Sequence, residues 1–330
     1  MIRFITGREV HMRVCVLYDD EPYGFTPAEF LKNFDWEMVL LHRPVLERLR
    51  AVAMENRFDV YFNLCDGASD EDYPGLDVVE ALEELNLPFT GADSKFYDPT
   101  REEMQAAADA HGVGFTKGYH VTENDDLETL VKDLRFPLMV KHPKSYSSIG
   151  MTRDSRVENL EQLRTQFERI SSEFGSARVE EFIVGREFNV LVVDNPDNLD
   201  TPFVYPSTEL IFPPGDEFWH TDIKWDYSVP FEFRQVKDPD LVSRLQDAGK
   251  KMYLAIGGNG YGRCDVRMNA EGEIYILEIN PNGGILYTPE EYGPADYMIL
   301  YDEDGYDGFF DRIFRAAMVR QKKRESKRIK

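Results

Sequence analysis

The chain has 330 residues, of which 42% are hydrophobic and 13% aromatic, and a formal net charge of −23. This length favours two or three domains, and the hydrophobic content excludes an intrinsically disordered chain. The negative charge argues against nucleic acids and anionic membranes as partners, because both attract basic surfaces.

The first part of the chain alternates predicted strands with predicted helices. Residues 1–11 are expected to be a loose extension, and residues 12–97 an N-terminal α/β domain. The predicted strands are Arg13–Tyr18, Glu37–Leu41, Asp59–Leu64 and Pro88–Thr90, and the predicted helices are Pro27–Asn33, Pro44–Asn56 and Leu76–Leu85. Such alternation is typical of a parallel sheet covered by helices, which binds ligands at the carboxyl ends of its strands.

Two loops that follow strand ends in this domain are acidic. Their acids are Asp19, Asp20, Glu21, Asp66, Asp70, Glu71 and Asp72. At the ligand-binding edge of a sheet, these carboxylates would suit an ammonium or guanidinium group of a substrate. Solvated loops with unused charge are an equally open interpretation, since most loop acids only face water.

Residues 98–183 are predicted to form a smaller α+β domain. It opens with a capping box, Thr100 to Glu103, which starts a helix that ends near His111. The other predicted elements are a strand near Tyr119, a helix at Leu127–Leu134, a strand at Phe136–Lys141, a helix at Leu160–Phe174 and a strand at Ala177–Ile183.

Two segments of this domain are typical of nucleotide sites. Lys141 ends an apolar strand and precedes a small polar loop with Ser147 and Ser148, a combination able to bind phosphates. Glu180–Ile183, followed by Glu187, forms a bend whose backbone can meet an adenine edge while a carboxylate takes ribose hydroxyls. Taken singly, each has a plainer interpretation: a lysine that reaches solvent, and two glutamates on a surface strand.

Residues 184–320 are predicted to form a C-terminal α+β domain, and residues 321–330 a basic tail that is most simply a solvated helix end. The predicted elements are strands at Glu187–Val193 and Phe203–Phe212, helices at Asp240–Ile256 and Gly308–Gln321, and a hairpin of Arg263–Met268 with Ile274–Asn280. Residues 217–228 are rich in aromatic and polar groups and are expected to form a loop over the site.

The hairpin has the strongest chemical pattern in the chain. A turn centred on Glu271–Gly272 places Asp265 opposite Glu278 and Arg263 opposite Asn280, with all four side chains on one face. The other face then holds Cys264, Val266, Met268, Tyr275, Leu277 and Ile279. Facing carboxylates repel unless a cation lies between them, and an oxygen-only ligand set suits Mg²⁺. The plainer interpretation is a solvated face with an incidental ion pair.

Cys15, Cys65 and Cys264 are odd in number and far apart, which indicates neither a disulfide framework nor a zinc site. A reducing, cytoplasmic location is therefore expected. No apolar run approaches the ~18 residues of a membrane span, and the N-terminus lacks a signal-peptide core, so no membrane partner is expected.

Together these segments resemble the ATP-grasp superfamily, and within it the D-alanine–D-alanine ligase branch. The similarity extends over about residues 60–318 and depends on several motifs in the right order. These are Tyr61-Phe-Asn63, Phe89-Thr-Gly91, Val140-Lys141, Ser147-Ser-Ile-Gly-Met151, Val179-Glu-Glu, Gly185-Arg-Glu187, Pro206-Ser, Lys224, Arg263-Cys-Asp265 and Leu277-Glu-Ile-Asn280.

The resemblance implies an ATP-grasp fold that holds ATP between two α+β domains, with Mg²⁺ or Mn²⁺ beside it. It implies catalytic roles for Arg263, Lys224, Gly284 and Ser147, nucleotide contacts from Lys141, Arg101, Ser148, Glu180, Glu181, Phe182, Ile183, Glu187 and Lys224, and metal binding by Asp265, Glu278 and Asn280. The implied activity is an ADP-forming carboxylate–amine ligase that acts on small molecules through an acylphosphate. A homodimer is one assembly to be considered.

Two departures from the family pattern concern the acid and amine sites. The GG-x-S-x-E loop, which supplies a glutamate for the first D-alanine, has no counterpart after Leu17, and the usual small-Pro-Gly-Met loop is replaced by Pro281-Asn-Gly-Gly284. Cell-wall D-alanine ligation is therefore not expected. Three alternatives stay open: a phosphotransferase, a ligase that modifies a peptide or protein, and a nucleotide-binding module without turnover.

Overall fold

We describe the fold from a computed structural model, which covers residues 12–19, 27–67, 72–144, 148–224 and 231–328, with only the backbone of Asp222 and Lys224. Three sheets make up this part of the chain. The first is parallel, the second is antiparallel, and the third is antiparallel and the largest.

The N-terminal sheet confirms the predicted parallel arrangement, with strand order β2-β1-β3. Its elements are β1 (Arg13–Tyr18), β2 (Asp35–Leu40), α1 (Val45–Met54), β3 (Val60–Asn63) and α2 (Leu76–Glu84). Helices α1 and α2 cover one face through one apolar cluster. The predicted helix at Pro27–Asn33 is only a 3-10 turn at Pro27–Glu29, and the predicted strand at Pro88–Thr90 is reduced to a parallel bridge between Phe89 and Tyr61.

The central sheet has the antiparallel order β4-β7-β5-β6. Its elements, with the preceding helix, are α3 (Arg101–His111), β4 (Gly118–Thr122), α4 (Leu127–Leu130), β5 (Leu138–Lys141), β6 (Arg156–Val157), α5 (Leu160–Phe174) and β7 (Ser176–Glu181). The predicted capping box is present, because Thr100 Oγ1 accepts the Glu103 N–H at 3.1 Å and Glu103 accepts the Thr100 N–H at 2.8 Å. The predicted helix at Leu127–Leu134 is shorter, since a 3-10 turn follows Leu130.

The C-terminal sheet has the order β11-β10-β8-β12-β13, with β9 also paired to β8. Its elements are β8 (Arg186–Val193), β9 (Phe203–Val204), β10 (Thr208–Ile211), α6 (Thr221–Lys224), β11 (Glu232–Gln235), α7 (Pro239–Ala255), β12 (Tyr261–Met268), β13 (Ile274–Pro281), α8 (Pro294–Leu300) and α9 (Gly305–Arg328). The predicted strand Phe203–Phe212 is broken between β9 and β10. Pro206 lies at the break, and it has no N–H to donate to a ladder.

Helix α9 packs between the N-terminal and C-terminal sheets. Phe310 and Phe314 share an apolar cluster with Phe62 of β3 and Leu191 of β8. The helix was predicted to end at Gln321 but continues to Arg328. None of the helices in the described ranges is long and apolar enough to cross a membrane.

Three arginines at the basic end of α9 contact backbone carbonyls near the end of α2, whereas Lys322, Lys323 and Lys327 are exposed, so the prediction of a solvated helix end holds only in part. Arg320 is 8% exposed and donates to the Phe89 carbonyl at 2.7 Å. Arg324 donates to the Leu87 carbonyl at 2.6 Å, and Arg328 to the Glu83 carbonyl at 2.7 Å. The spacing of four places these guanidinium groups on one helix face, and their partners are carbonyls at and beyond the end of α2.

The hairpin register confirms two predicted pairs, Arg263 with Asn280 and Asp265 with Glu278. A β-bulge then shifts the register, so that Val266 pairs with Ile276. Ile276 is therefore fully buried, and Leu277 lines the cleft described below. The prediction that Leu277 and Tyr275 lie on the core face is wrong, because the extra residue of the bulge is in β13 and reverses the alternation of that strand before Glu278.

This bulge makes a mutational prediction. Ile276→Ala should lower the free energy of unfolding by about 3 kcal/mol, because it opens a cavity in the core. Leu277→Ala should cost less stability and should instead weaken binding of an ATP analogue. Urea denaturation and calorimetric titration measure the two effects. A larger stability loss in the Leu277→Ala variant would contradict the bulged register.

Candidate active site

A cleft of about 1090 Å³ is lined by the central and C-terminal sheets and by the loops around them. It brings together all the candidate residues whose side chains are described. These are Arg101, Lys141, Ser148, Glu180, Glu181, Phe182, Ile183, Glu187, Arg263, Asp265, Glu278, Asn280 and Gly284. Ser147 lies outside the described residues, and Lys224 is known only as the last backbone position of α6.

One wall of the cleft is the polar face of β8 and β12. These strands pair so that Asn189 faces Asp265. The Asp265 carboxylate accepts hydrogen bonds from Asn189 at 2.7 Å, from Arg263 at 2.8 and 3.2 Å, and from Asn280 at 3.0 Å. The carboxylate is therefore neutralised and oriented by its strand neighbours.

The second hairpin carboxylate, Glu278, forms an ion pair with Arg101. Arg101 is the first residue of α3 and is 5% exposed, and burial lowers the pKa of its guanidinium to about 10. An arginine pairs with each hairpin acid, Arg263 with Asp265 and Arg101 with Glu278, and offsets the repulsion between the two carboxylates. The metal site at these residues stays a prediction.

The opposite wall carries a buried charge cluster centred on Glu180. Lys141 lies 2.6 Å from Glu180, and Arg178 lies 2.9 Å from its other oxygen. Burial lowers the pKa of Lys141 to about 8, although Glu180 acts in the opposite direction. Burial alone would raise the pKa of Glu180, but Lys141, Arg178 and Arg101 together lower it. Arg178 also reaches Glu102 at 2.7 Å, which ties β7 to α3.

The predicted adenine hinge follows β7. The Glu181 amide donates to the Lys117 carbonyl at 2.8 Å, and the Phe182 amide donates to the Pro137 carbonyl at 2.9 Å. Arg135 holds the Glu181 carboxylate at 2.9 Å. The amides of Glu181 and Phe182 are thus already used within the protein, and the contact of this hinge with a base stays a prediction.

Glu187 is buried on β8 opposite Arg267. Burial raises the pKa of the Glu187 carboxyl to about 7, and Arg267 at 3.5 Å only partly offsets this. The Arg267 guanidinium lies 4.4 Å from the centre of the Phe182 ring and donates to the Gly185 carbonyl at 2.9 Å. Arg267 therefore joins the hinge to the predicted ribose position.

Several lining residues escaped the sequence interpretation. Asn189 and Arg267 lie two positions beyond Glu187 and Asp265 on their strands, so period-two alternation alone could have found them. Further aromatic residues of the cleft lie outside the predicted motifs. Phe218 and Trp219 belong to the loop expected over the site, whereas Phe231, Phe233, Tyr287, Tyr292 and Tyr297 were not expected there.

The acidic loops are only partly described. Asp19 and Asp66 line the cleft, as expected for residues at the carboxyl ends of β1 and β3. Asp72 is exposed and is not among the lining residues, and Asp20, Glu21, Asp70 and Glu71 lie outside the described residues. Asp98, Glu290 and Glu291 also line the cleft.

The donor set of the hairpin fits a hard divalent cation. Asp265, Glu278 and Asn280 offer only oxygen ligands, which Mg²⁺ prefers to nitrogen or sulfur. Asn189 Oδ1, beside Asp265, is a buried acceptor without a hydrogen-bond partner among the described residues. No group of three His, Cys, Asp or Glu side chains forms a metal cage within the described ranges, so substrate phosphates would have to complete the coordination.

Comparison with known proteins identifies the family. Residues 109–289, more than half of the chain, match the family model described as the D-ala D-ala ligase C-terminus. The chain belongs to this family. The D-alanine–D-alanine ligase of Mannheimia succiniciproducens is 27% identical over 242 residues, which span 70% of this chain and 73% of the relative.

Solved structures of this family share the fold. The structure of D-alanine–D-alanine ligase from Bacillus anthracis in complex with ATP has a TM-score of 0.67 and 18% sequence identity. The alignment covers 94% of the present chain and 99% of the Bacillus anthracis chain. The VanG D-Ala:D-Ser ligase from Enterococcus faecalis has a TM-score of 0.71 and 16% sequence identity, and the alignment covers 93% of the present chain and 100% of the VanG chain. The predicted ATP-grasp fold is confirmed. The family also confirms the predicted class, an ATP-dependent, ADP-forming ligase that makes a C–N bond, and does not favour the three alternatives.

The raised pKa of Glu187 makes a prediction about stability. The folded protein holds a proton on this carboxyl between its usual pKa near 4.5 and about 7. The contribution of the protonated Glu187 carboxyl to the free energy of unfolding is therefore complete below pH 4.5 and is lost as the pH rises to about 7. Relative to Glu187→Gln, the wild-type free energy of unfolding should fall by up to about 3 kcal/mol over this range. Urea denaturation at several pH values tests this, and a pH-independent difference would contradict it.

Proposed function

We propose that the cleft joins a carboxylate substrate to an amine in two steps. In the first, a carboxylate oxygen attacks the γ-phosphorus of ATP, and the bond to the bridging oxygen of ADP breaks. In the second, the amine nitrogen attacks the acyl carbon, inorganic phosphate leaves, and the nitrogen loses a proton. The observation that carries this proposal is the convergence of phosphate-binding cations, an oxygen-ligand hairpin face and a glycine loop in one cleft.

The nucleotide roles follow from the two walls. Lys141 and Arg101 would bind phosphates, with Ser148 and Ser147 on the adjoining loop, and Lys224 would contact the transferred phosphoryl group. Glu187 would accept the ribose hydroxyls, and Ile183 would present the hinge edge to the base. The Glu180 carboxylate accepts hydrogen bonds from Lys141 and Arg178. An adenine amino group that contacts Glu180 would therefore share a carboxylate oxygen with one of these side chains.

The metal and oxyanion roles belong to the hairpin and the loop after it. Asp265, Glu278 and Asn280 would hold Mg²⁺ or Mn²⁺, which neutralises phosphate charge when bound. Arg263 and the Gly284 amide would stabilise the oxyanion that forms when the amine attacks. Arg263 lines the cleft, which suits this role. Burial acts to lower the pKa of its guanidinium, but Asp265 raises it above its usual value, so the group stays charged.

The ion pair between Arg101 and Glu278 links metal binding to nucleotide binding. Arg101 would compete with a divalent cation for the Glu278 carboxylate. Nucleotide phosphates offer Arg101 another anionic partner and thereby release the carboxylate. Metal and nucleotide should therefore bind cooperatively.

Arg101→Met tests this linkage. The variant should bind Mn²⁺ alone about tenfold more tightly than wild type and should bind ADP more weakly. Calorimetry or Mn²⁺ electron paramagnetic resonance measures both affinities. Arg135→Met is the control, because Arg135 pairs with Glu181 rather than with a proposed metal ligand. An unchanged Mn²⁺ affinity in the Arg101→Met variant would refute competition at Glu278.

The acids of the cleft suggest the substrate class. Asp19 and Asp66 lie at the strand ends, and Glu290 and Glu291 belong to the loop after β13. We propose that this acidic part of the cleft accepts the positively charged end of an amino-acid-like substrate, while Arg263 and the metal face its carboxylate. The relatives are D-alanine–D-alanine ligases, but the different loop after Leu17 and this charge favour another substrate pair.

A substrate screen tests the proposed function. ADP and phosphate release should be measured across D- and L-amino acids and basic amines, singly and in pairs, with mass spectrometry of the products. A condensed product is expected with at least one cationic partner and little or none with D-alanine alone. Asp66→Asn should raise the KM of that partner without changing ATP affinity. Efficient D-alanyl-D-alanine formation would overturn the substrate proposal, and a stable phosphorylated acceptor would indicate a phosphotransferase.

A further inference from the structure

The loop that follows β13 is tied by the side chain of Asn282 to Ala92, which is distant in the sequence. Asn282 lies between Pro281 and Gly283, and its Oδ1 accepts the Ala92 N–H at 2.8 Å. Its own N–H donates to the Tyr261 carbonyl at 3.3 Å. The residue has φ of 54°, a left-handed conformation that asparagine tolerates better than most residues. Asn282 also lines the cleft.

The partner of Asn282 is itself rigidly held. Ala92 follows Gly91, whose φ of +83° and close approach to Asn282 leave no room for a side chain, since a Cβ there would lie 2.5 Å from Asn282 Oδ1. The Gly91 carbonyl accepts from Arg320 Nη1 at 2.8 Å. Asn259 Oδ1 accepts from the same Nη1 at 2.9 Å and from the Asp93 amide at 2.7 Å.

These contacts form a continuous path from the last helix to the glycine loop. Arg320 fixes the backbone of residues 89–93, and Ala92 in turn fixes Asn282. The next two residues are Gly283 and Gly284, and glycine backbones have little conformational order of their own. Downstream, the Leu286 N–H donates to Asp296 at 2.7 Å, so Asn282 is the upstream anchor of the glycine amides that are proposed to face the acyl group.

We propose that Asn282 is a positioning residue for the acyl-transfer step, acting through its hydrogen bond to Ala92 on the amides of Gly283 and Gly284. This inference rests on the proposed function. Oriented amide donors stabilise an oxyanion because their reorganisation has been completed before the reaction. When they are misplaced, amine attack on the acylphosphate slows, and water has longer to hydrolyse the acyl–phosphate bond and return the free acid.

Two substitutions separate the hydrogen bond from the backbone conformation. Asn282→Gly keeps access to positive φ and removes the acceptor, whereas Asn282→Asp keeps both the acceptor and tolerance of that conformation. Asn269→Gly is the matched control. Asn269 also accepts a backbone N–H, from Glu273 at 2.8 Å, but at the turn end of the same hairpin.

The experiment compares full-length wild type with these three variants by two readouts. The first is hydrogen exchange of peptides covering residues 280–286. The second is the ratio of phosphate released to amide formed, with ATP-analogue affinity measured alongside. Asn282→Gly should exchange at least tenfold faster in this segment and release at least fivefold more phosphate per amide, with nucleotide affinity within twofold. Asn282→Asp should restore both values, and Asn269→Gly should leave both unchanged.

Wild-type exchange and an unchanged ratio in the Asn282→Gly variant would overturn the inference. Faster exchange with an unchanged ratio would overturn it too, because loop order would then have no catalytic consequence. Failure of the wild type to form any amide would count against the proposed function instead. Hydrogen exchange would still decide whether Asn282 holds the loop.

Discussion

The cleft depends on one constraint: a carboxylate that leaves water must either take up a proton, as Glu187 does below about pH 7, or find a cation. Glu180, Asp265 and Glu278 each have one, and in two of these cases the partner comes from the same or an adjoining strand. Glu278 is different, because Arg101 reaches it from α3. These pairs arrange the walls before any ligand arrives. A protein with net charge −23 can thereby present arginine and lysine to a polyanionic nucleotide.

Sequence patterns within short segments were enough to predict several features of the site. Period-two alternation and a glycine turn were enough to place Asp265 opposite Glu278 and Arg263 opposite Asn280. The capping box located the start of α3, because its hydrogen bonds lie within four residues. The resemblance to a family then added the order of the motifs along the chain, which cannot be predicted from any short segment alone. Every candidate side chain within the described residues lies in one cleft as a result.

What escaped prediction depends on distant contacts. The bulge at Asp265 and Val266 moves Leu277 from the core face to the cleft, and nothing in the alternating sequence marks it. Pairing of Arg101 with Glu278 joins residues far apart in the chain, so charge repulsion between the hairpin acids was overestimated. The bond from Ala92 to Asn282 likewise joins residues 190 positions apart. Such contacts are products of the whole fold and leave no periodic signal.

The position of α9 has a consequence for biosynthesis. One face of β1 and β3 is covered by aromatic side chains of residues 305–328. A ribosome makes these residues about 240 positions after β3, which at 5–20 residues per second is a delay of about 12 to 50 s. Over that interval Val14, Val16 and Phe62 of the newly made strands lack the aromatic side chains that cover them in the finished fold. The earliest sheet of the protein is thus completed by its latest helix.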